Sequence, residues 1–91
     1  MQLNPEDPIV RTAIFGRQVS DFLSSDVGQY LMQKADDHAQ EAIDALTRAD
    51  PEDPKAIRKL QNQIAVADLI ASWLKAAEFE GEQAEDHLRQ Q

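Results

Sequence analysis

Ninety-one residues make one domain at most, and a chain of this size buries only about 60–65% of its unfolded surface, which argues against a deep catalytic cavity. Seventeen acidic against nine basic residues leave a net charge of −8, which argues against direct binding to nucleic acid phosphates and to anionic membrane surfaces. Cysteine is absent, which removes disulfides and thiolate metal sites, and no apolar run reaches the roughly 18–20 residues of a membrane span.

Met1 to Glu6 is expected to be loose, and the polar, acidic stretch Met1 to Asp7 does not read as a secretory signal. The expectation is a soluble protein made in a cytoplasm. Asp7-Pro8 reads as a helix start: the aspartate caps, and proline suits the first helical position because its missing N–H needs no partner there. Ile9, Val10, Ala13 and Ile14 follow at helical spacing. Phe15, Val19, Phe22 and Leu23 carry a second, rotated stripe. The spacing predicts helix 1 over 8–23, with a bend near Gly16, where glycine costs about 1 kcal/mol against alanine. Phe15 and Phe22 are candidates for docking this arm onto the rest of the molecule or onto a neighbour.

Ser24-Ser25-Asp26 is a break followed by a new cap, with an acid at the positive end of the helix dipole. It predicts helix 2 over 26–49. The expected seam is Leu31, Ala35, His38, Ala42, Ala45 and Ala49, with Val27 and Leu46 flanking. Gly28 in the first turn allows another backbone to come close. The alanines allow a partner helix bearing larger residues to approach.

Asp50-Pro51-Glu52-Asp53-Pro54 is the clearest punctuation in the chain. Pro51 stops helix 2, and Asp53-Pro54 repeats the cap-plus-proline device. Pro-Glu-Asp-Pro stands at both 5–8 and 51–54. The flanks do not align further, so shared helix-start chemistry is favoured over duplication. So short a connection makes helices 2 and 3 antiparallel neighbours. Helix 3 is predicted over 54–80. Its apolar residues Ile57, Leu60, Ile64, Ala67, Ala71 and Leu74 repeat in alternating steps of three and four. Gly81 reads as its end. Residues 82–91 are then a soft acidic tail, either frayed or a short further helix. Five acids between Glu78 and Asp86 would oppose the dipole at a helix C-terminus.

The fold class expected is all-α: a long antiparallel helical hairpin with an additional N-terminal helix and a soft acidic C-terminal tail. Both hairpin arms carry a second stripe, Val66, Ile70, Trp73 and Ala77 on one and Met32, Ala39 and Ile43 on the other. Helix 1 is too short to cover all of it. Trp73 is therefore either core under helix 1 or the centre of a contact surface, a position where tryptophan is enriched. The candidate protein-interface residues are Trp73, Ile70, Phe15, Phe22 and Tyr30.

Asp36-Asp37-His38 with Glu41 is the one cluster resembling a metal or acid–base site. Di-iron bundles need paired Glu-x-x-His segments and two further glutamates, and helix 3 offers only Asp68 near its seam. The favoured reading is a structural polar pair, His38 with Asp68, that fixes register in an alanine-rich interface. His87 is expected to be solvated in the tail. No serine has a histidine at a suggestive spacing, and the glycines at 16, 28 and 81 form no phosphate loop. Lys55, Arg58 and Lys59 are expected to pair with Glu52, Asp53 and nearby acids. No catalytic, cofactor-binding or metal-ligating residue is assigned.

The run from Phe22 to Ala84 carries Gly28-Gln29-Tyr30-Leu31, the Asp50-Pro51 turn, Ile57 with Leu60-Gln61, Trp73-Leu74, and Gly81 followed by Gln83-Ala84. In these features it resembles small uncharacterised proteins encoded among bacteriophage head-morphogenesis genes. The resemblance implies a phage setting, in the virion or the host cytoplasm, and a role in the particle or its assembly. It brings no catalytic residues. The expectation is a non-enzymatic structural or head-assembly protein acting through helix-face contacts. Its partners would be copies of itself or a capsid, portal or connector protein. The alternative is a small acidic phage inhibitor occupying a basic groove of a host defence or nucleic-acid enzyme.

Overall fold

The computed structural model describes residues 4–90. They form three helices, α1 (Pro8–Ser24), α2 (Asp26–Arg48) and α3 (Pro54–Arg89), and no strand. Each helix begins where a side chain satisfies a free amide. The Asp7 carboxylate accepts from the Ile9 N–H at 2.8 Å, and that of Asp53 accepts from the Ala56 N–H at 3.2 Å. A proline opens the first turn after each. Ser25 serves both of its neighbours. Its N–H and hydroxyl donate to the Phe22 carbonyl, ending α1, while its Oγ accepts from the Gly28 N–H at 3.0 Å, starting α2. At the second connection the Asp50 carbonyl accepts from the Asp53 N–H at 3.0 Å, and its carboxylate accepts from the Glu52 N–H at 2.9 Å.

The three helices make an antiparallel hairpin whose first arm is broken at Ser25. α1 and α2 follow one another along α3, and each runs antiparallel to it. Pro8 and Ile9 lie beside Ala84 and His87, and Ser20 lies beside Glu78. Further along, the Gln63 side chain reaches the His38 carbonyl. The hairpin of α2 and α3 and the N-terminal helix are as the sequence predicts.

The end of α3 is not. The expected boundary at residue 80 and the soft tail over 82–91 give way to one helix of 36 residues, about 54 Å long, reaching Arg89. Gly81 does not turn the chain, since no glycine takes a positive φ. It faces Gly16 instead. A Cβ placed on Gly16 would lie 2.5 Å from the Gly81 Cα, and one on Gly81 would lie 2.6 Å from the Gly16 Cα. The two backbones touch, and no side chain fits between them. The acids from Glu78 to Asp86 thus sit within the helix. Its last turn carries His87 and Arg89, which suit the negative end of the dipole.

The α3 seam runs on through this crossing. Ile57, Leu60, Ile64, Ala67, Ala71 and Leu74 are all buried or half-buried, and so are Glu78, Gly81, Glu85 and Leu88 at the same alternating steps. On α2 the inward seam is Gly28, Met32, Ala35, Ala39, Ala42, Leu46 and Ala49. This rotates the expected seam by about one residue, since Leu31 and His38 are exposed. Gly28 permits the rotation. A Cβ there would collide with the Phe22 carbonyl oxygen, so only glycine lets this face of α2 lie against the α1 junction.

The result is thin. The buried apolar residues are Val10, Ala13, Val19, Ala39, Ala42, Ala67 and Ala84, and among the described residues no large side chain is fully buried. The molecule measures 64 × 25 × 19 Å with a radius of gyration of 18.5 Å, against about 12 Å for a compact domain of this length. It exposes 7087 Å², where a compact monomer of its mass exposes about 5,300 Å².

In an isolated helix, replacing glycine by valine is favourable. Here Gly81→Val drives α1 off α3 and lowers the unfolding free energy by about 1–3 kcal/mol of overpacking. Urea denaturation followed by circular dichroism checks this, and an unchanged or raised midpoint contradicts it.

Candidate protein-interaction surface

A helix that buries one seam turns its opposite side to solvent. On α3 that side carries a second 3.5-residue repeat: Lys59, Asn62, Val66, Leu69, Trp73, Ala76 and Glu80. Every one of these residues is exposed. Trp73 is 63% exposed and Val66 57%. The centre of this outer seam is apolar, a lysine stands at one end, and a glutamate stands at the other. Among the described residues no helix covers it, because α1 docks on the distal half of the inner seam.

Ile70 lies at the border of the two seams, 38% exposed. With Leu31, Met32, Ala35, His38, Val66 and Ala67 it lines an open groove between α2 and α3. Trp73 and Ile70 thus share one flank of α3. Tyr30 is exposed on α2, with the Lys34 ammonium 5.7 Å from its ring centroid. Phe15 and Phe22, seven residues apart, share a face of α1, Phe15 exposed and Phe22 half-buried. The five candidates therefore occupy three helices, and only Trp73 and Ile70 belong to one continuous stripe. Leu69 and Val66 complete that stripe. In the sequence the stripe runs equally well from Val66 through Ile70 to Trp73, which leaves Leu69 out. Steps of three and four from Val66 reach Leu69, then Trp73.

His38 does meet α3, but its partner is Gln63 rather than Asp68. The Gln63 amide donates to the His38 carbonyl at 3.0 Å and lies 3.5 Å from the ring Nδ1. Asp68 lies in a different groove, with Met32, Asp36, Ala39 and Lys75. The rotation of α2 explains the change. It turns the His38 side chain outward and leaves its backbone carbonyl within reach of a long amide from α3. Asp36, Asp37 and His38 also point apart: Asp36 lines the Asp68 groove, His38 lines the Ile70 groove, and Asp37 accepts from Gln33 at 2.9 Å. Among the described residues no three His, Asp or Glu side chains are grouped as a metal site would need.

The ion pairs among the described residues gather at the α1–α3 end. Glu85 bridges Arg17 at 3.0 Å and Arg89 at 3.3 Å, and Asp86 meets Arg89 at 3.4 Å. The expected pairing of Lys55, Arg58 and Lys59 with Glu52 and Asp53 is not among them; Asp53 instead caps α3. Among the described residues no helix is long and apolar enough to cross a membrane.

Comparison with family models, with curated proteins and with solved structures returned no match.

The cross-helix bond uses the His38 backbone, so His38→Leu should leave stability nearly unchanged. Gln63→Ala should lower it by about 0.5–1 kcal/mol. Parallel urea titrations of the two variants decide between a side-chain and a backbone contact. A larger loss in His38→Leu contradicts this assignment.

Proposed function

We propose that the protein is a non-enzymatic bacteriophage structural or head-assembly component that works by docking helix faces. The exposed apolar centre of the outer α3 seam carries this reading. Val66, Leu69 and Trp73 form a stripe across the middle of the longest helix, and stripes of that kind mark protein contacts. The elongated shape supports it, since the chain exposes about 1,800 Å² more than a compact monomer of its mass. The phage setting rests on the resemblance carried by Phe22 to Ala84. Long, thin hairpins suit such work because they offer large lateral faces for little chain.

Quantitative mass spectrometry of purified proheads and virions, from the phage whose genome encodes the chain, tests the reading. A particle or scaffold component appears in at least one of them at a fixed copy number relative to the major capsid protein. Absence from both contradicts the reading and leaves the inhibitor alternative.

A further inference from the structure

The outer seam of α3 is polar at both ends, and the ends carry opposite charges. Lys59 lies near one end and Glu80 near the other, with Asn62 inside the lysine and the apolar centre between them. Both charged residues are exposed, and neither joins an ion pair among the described residues. A surface of this kind complements itself when turned end for end. We propose that the covering partner is a second copy of this chain, with the two α3 helices packed antiparallel through their outer seams about a twofold axis midway between Leu69 and Trp73. The proposal deepens the reading of this face as an interaction surface and rests on it.

The register follows from the repeat. In an antiparallel coiled coil, the two sets of seam positions face each other across the axis. Turning α3 about that axis sets Trp73 against Leu69 of the second copy and Val66 against Ala76. Asn62 then meets Glu80, and Lys59, one layer beyond, reaches the same carboxylate. Large residues oppose smaller ones at each apolar layer, which is how facing helices fill space. By symmetry every contact occurs twice. Parallel pairing fails on charge, because it sets Lys59 against Lys59 and Glu80 against Glu80.

Sedimentation equilibrium of the full chain at low salt tests the pairing, with four variants: Trp73→Ala, Lys59→Glu, Glu80→Lys and the double swap Lys59→Glu/Glu80→Lys. All sites are exposed in the single chain, so circular dichroism should show the fold unchanged. Wild type should be a dimer. Trp73→Ala, which removes the anchor from both copies, should weaken it by roughly a hundredfold or more. Each single charge reversal sets like charges together twice and should weaken it by about tenfold. The double swap should restore wild-type affinity. The single tryptophan gives a second readout, because emission from Trp73 should shift to the blue as concentration rises through the dimerisation range. A wild-type chain that stays monomeric at hundreds of micromolar overturns the pairing. So does a trimer or larger assembly, or a double swap no stronger than the single reversals. In each of those cases particle composition still decides the broader reading, since a different protein can occupy the same face.

Discussion

Gly16 and Gly81 meet backbone to backbone, and the rest of the architecture follows from that approach. It sets α1 along the distal half of α3 rather than over the hairpin's outer stripe. It extends α3 to Arg89, because a helix docked along its length by another does not fray at its end. It also brings Arg17 to Glu85, an exposed pair that adds little energy but suits the register. Helices that cross at small residues come close enough to lose all side-chain padding. Their contact is then made by backbone and small side chains, here Val10, Ala13 and Val19 on α1 with Gly81 and Ala84 on α3.

A molecule built this way has almost no interior. Its buried apolar residues are alanines and valines, and its larger side chains lie at seams or face outward. Large apolar burial is what usually offsets the entropy of ordering a chain. Here much of the available apolar surface remains on the outside, spread over all three helices, and on α3 it includes the stripe of Val66, Leu69 and Trp73. Fold and function thus meet in one constraint. The close crossing that holds α1 leaves the outer seam bare, and a bare apolar seam is a place for another surface to bind.

Much of this was legible in the sequence, because it depends on local chemistry. Asp7-Pro8 and Asp53-Pro54 announce helix starts, Ser24-Ser25-Asp26 announces a break and a new cap, and the apolar run from Ile57 to Leu74 announces the inner seam. The seam disappeared from view after Leu74 because its next positions are Glu78, Gly81 and Glu85. A search for apolar residues passes over them, although the alternating steps continue to Leu88. Gly81 was read as a cap because glycine after a helical run favours a left-handed turn, yet glycine serves equally well where another backbone must come close. Only the position of Gly16 across the gap separates the two uses. On α2 the two possible seams share Ala35 and Ala42, so periodicity alone could not choose between Leu31 and Met32. Glycine at 28 permits the Met32 seam, in which the Phe22 carbonyl lies against it. The sequence sets His38 opposite Asp68, and the one-residue rotation sets its backbone carbonyl against Gln63 instead.

Residues 82–88 are helical because α1 is docked on them at the glycine crossing, and amide hydrogen exchange across them measures that dependence. Protection should be comparable to that of residues 67–74, which face α2 near the middle of α3. Exchange at the rate of an unstructured chain, with protection ending at Gly81, would contradict it.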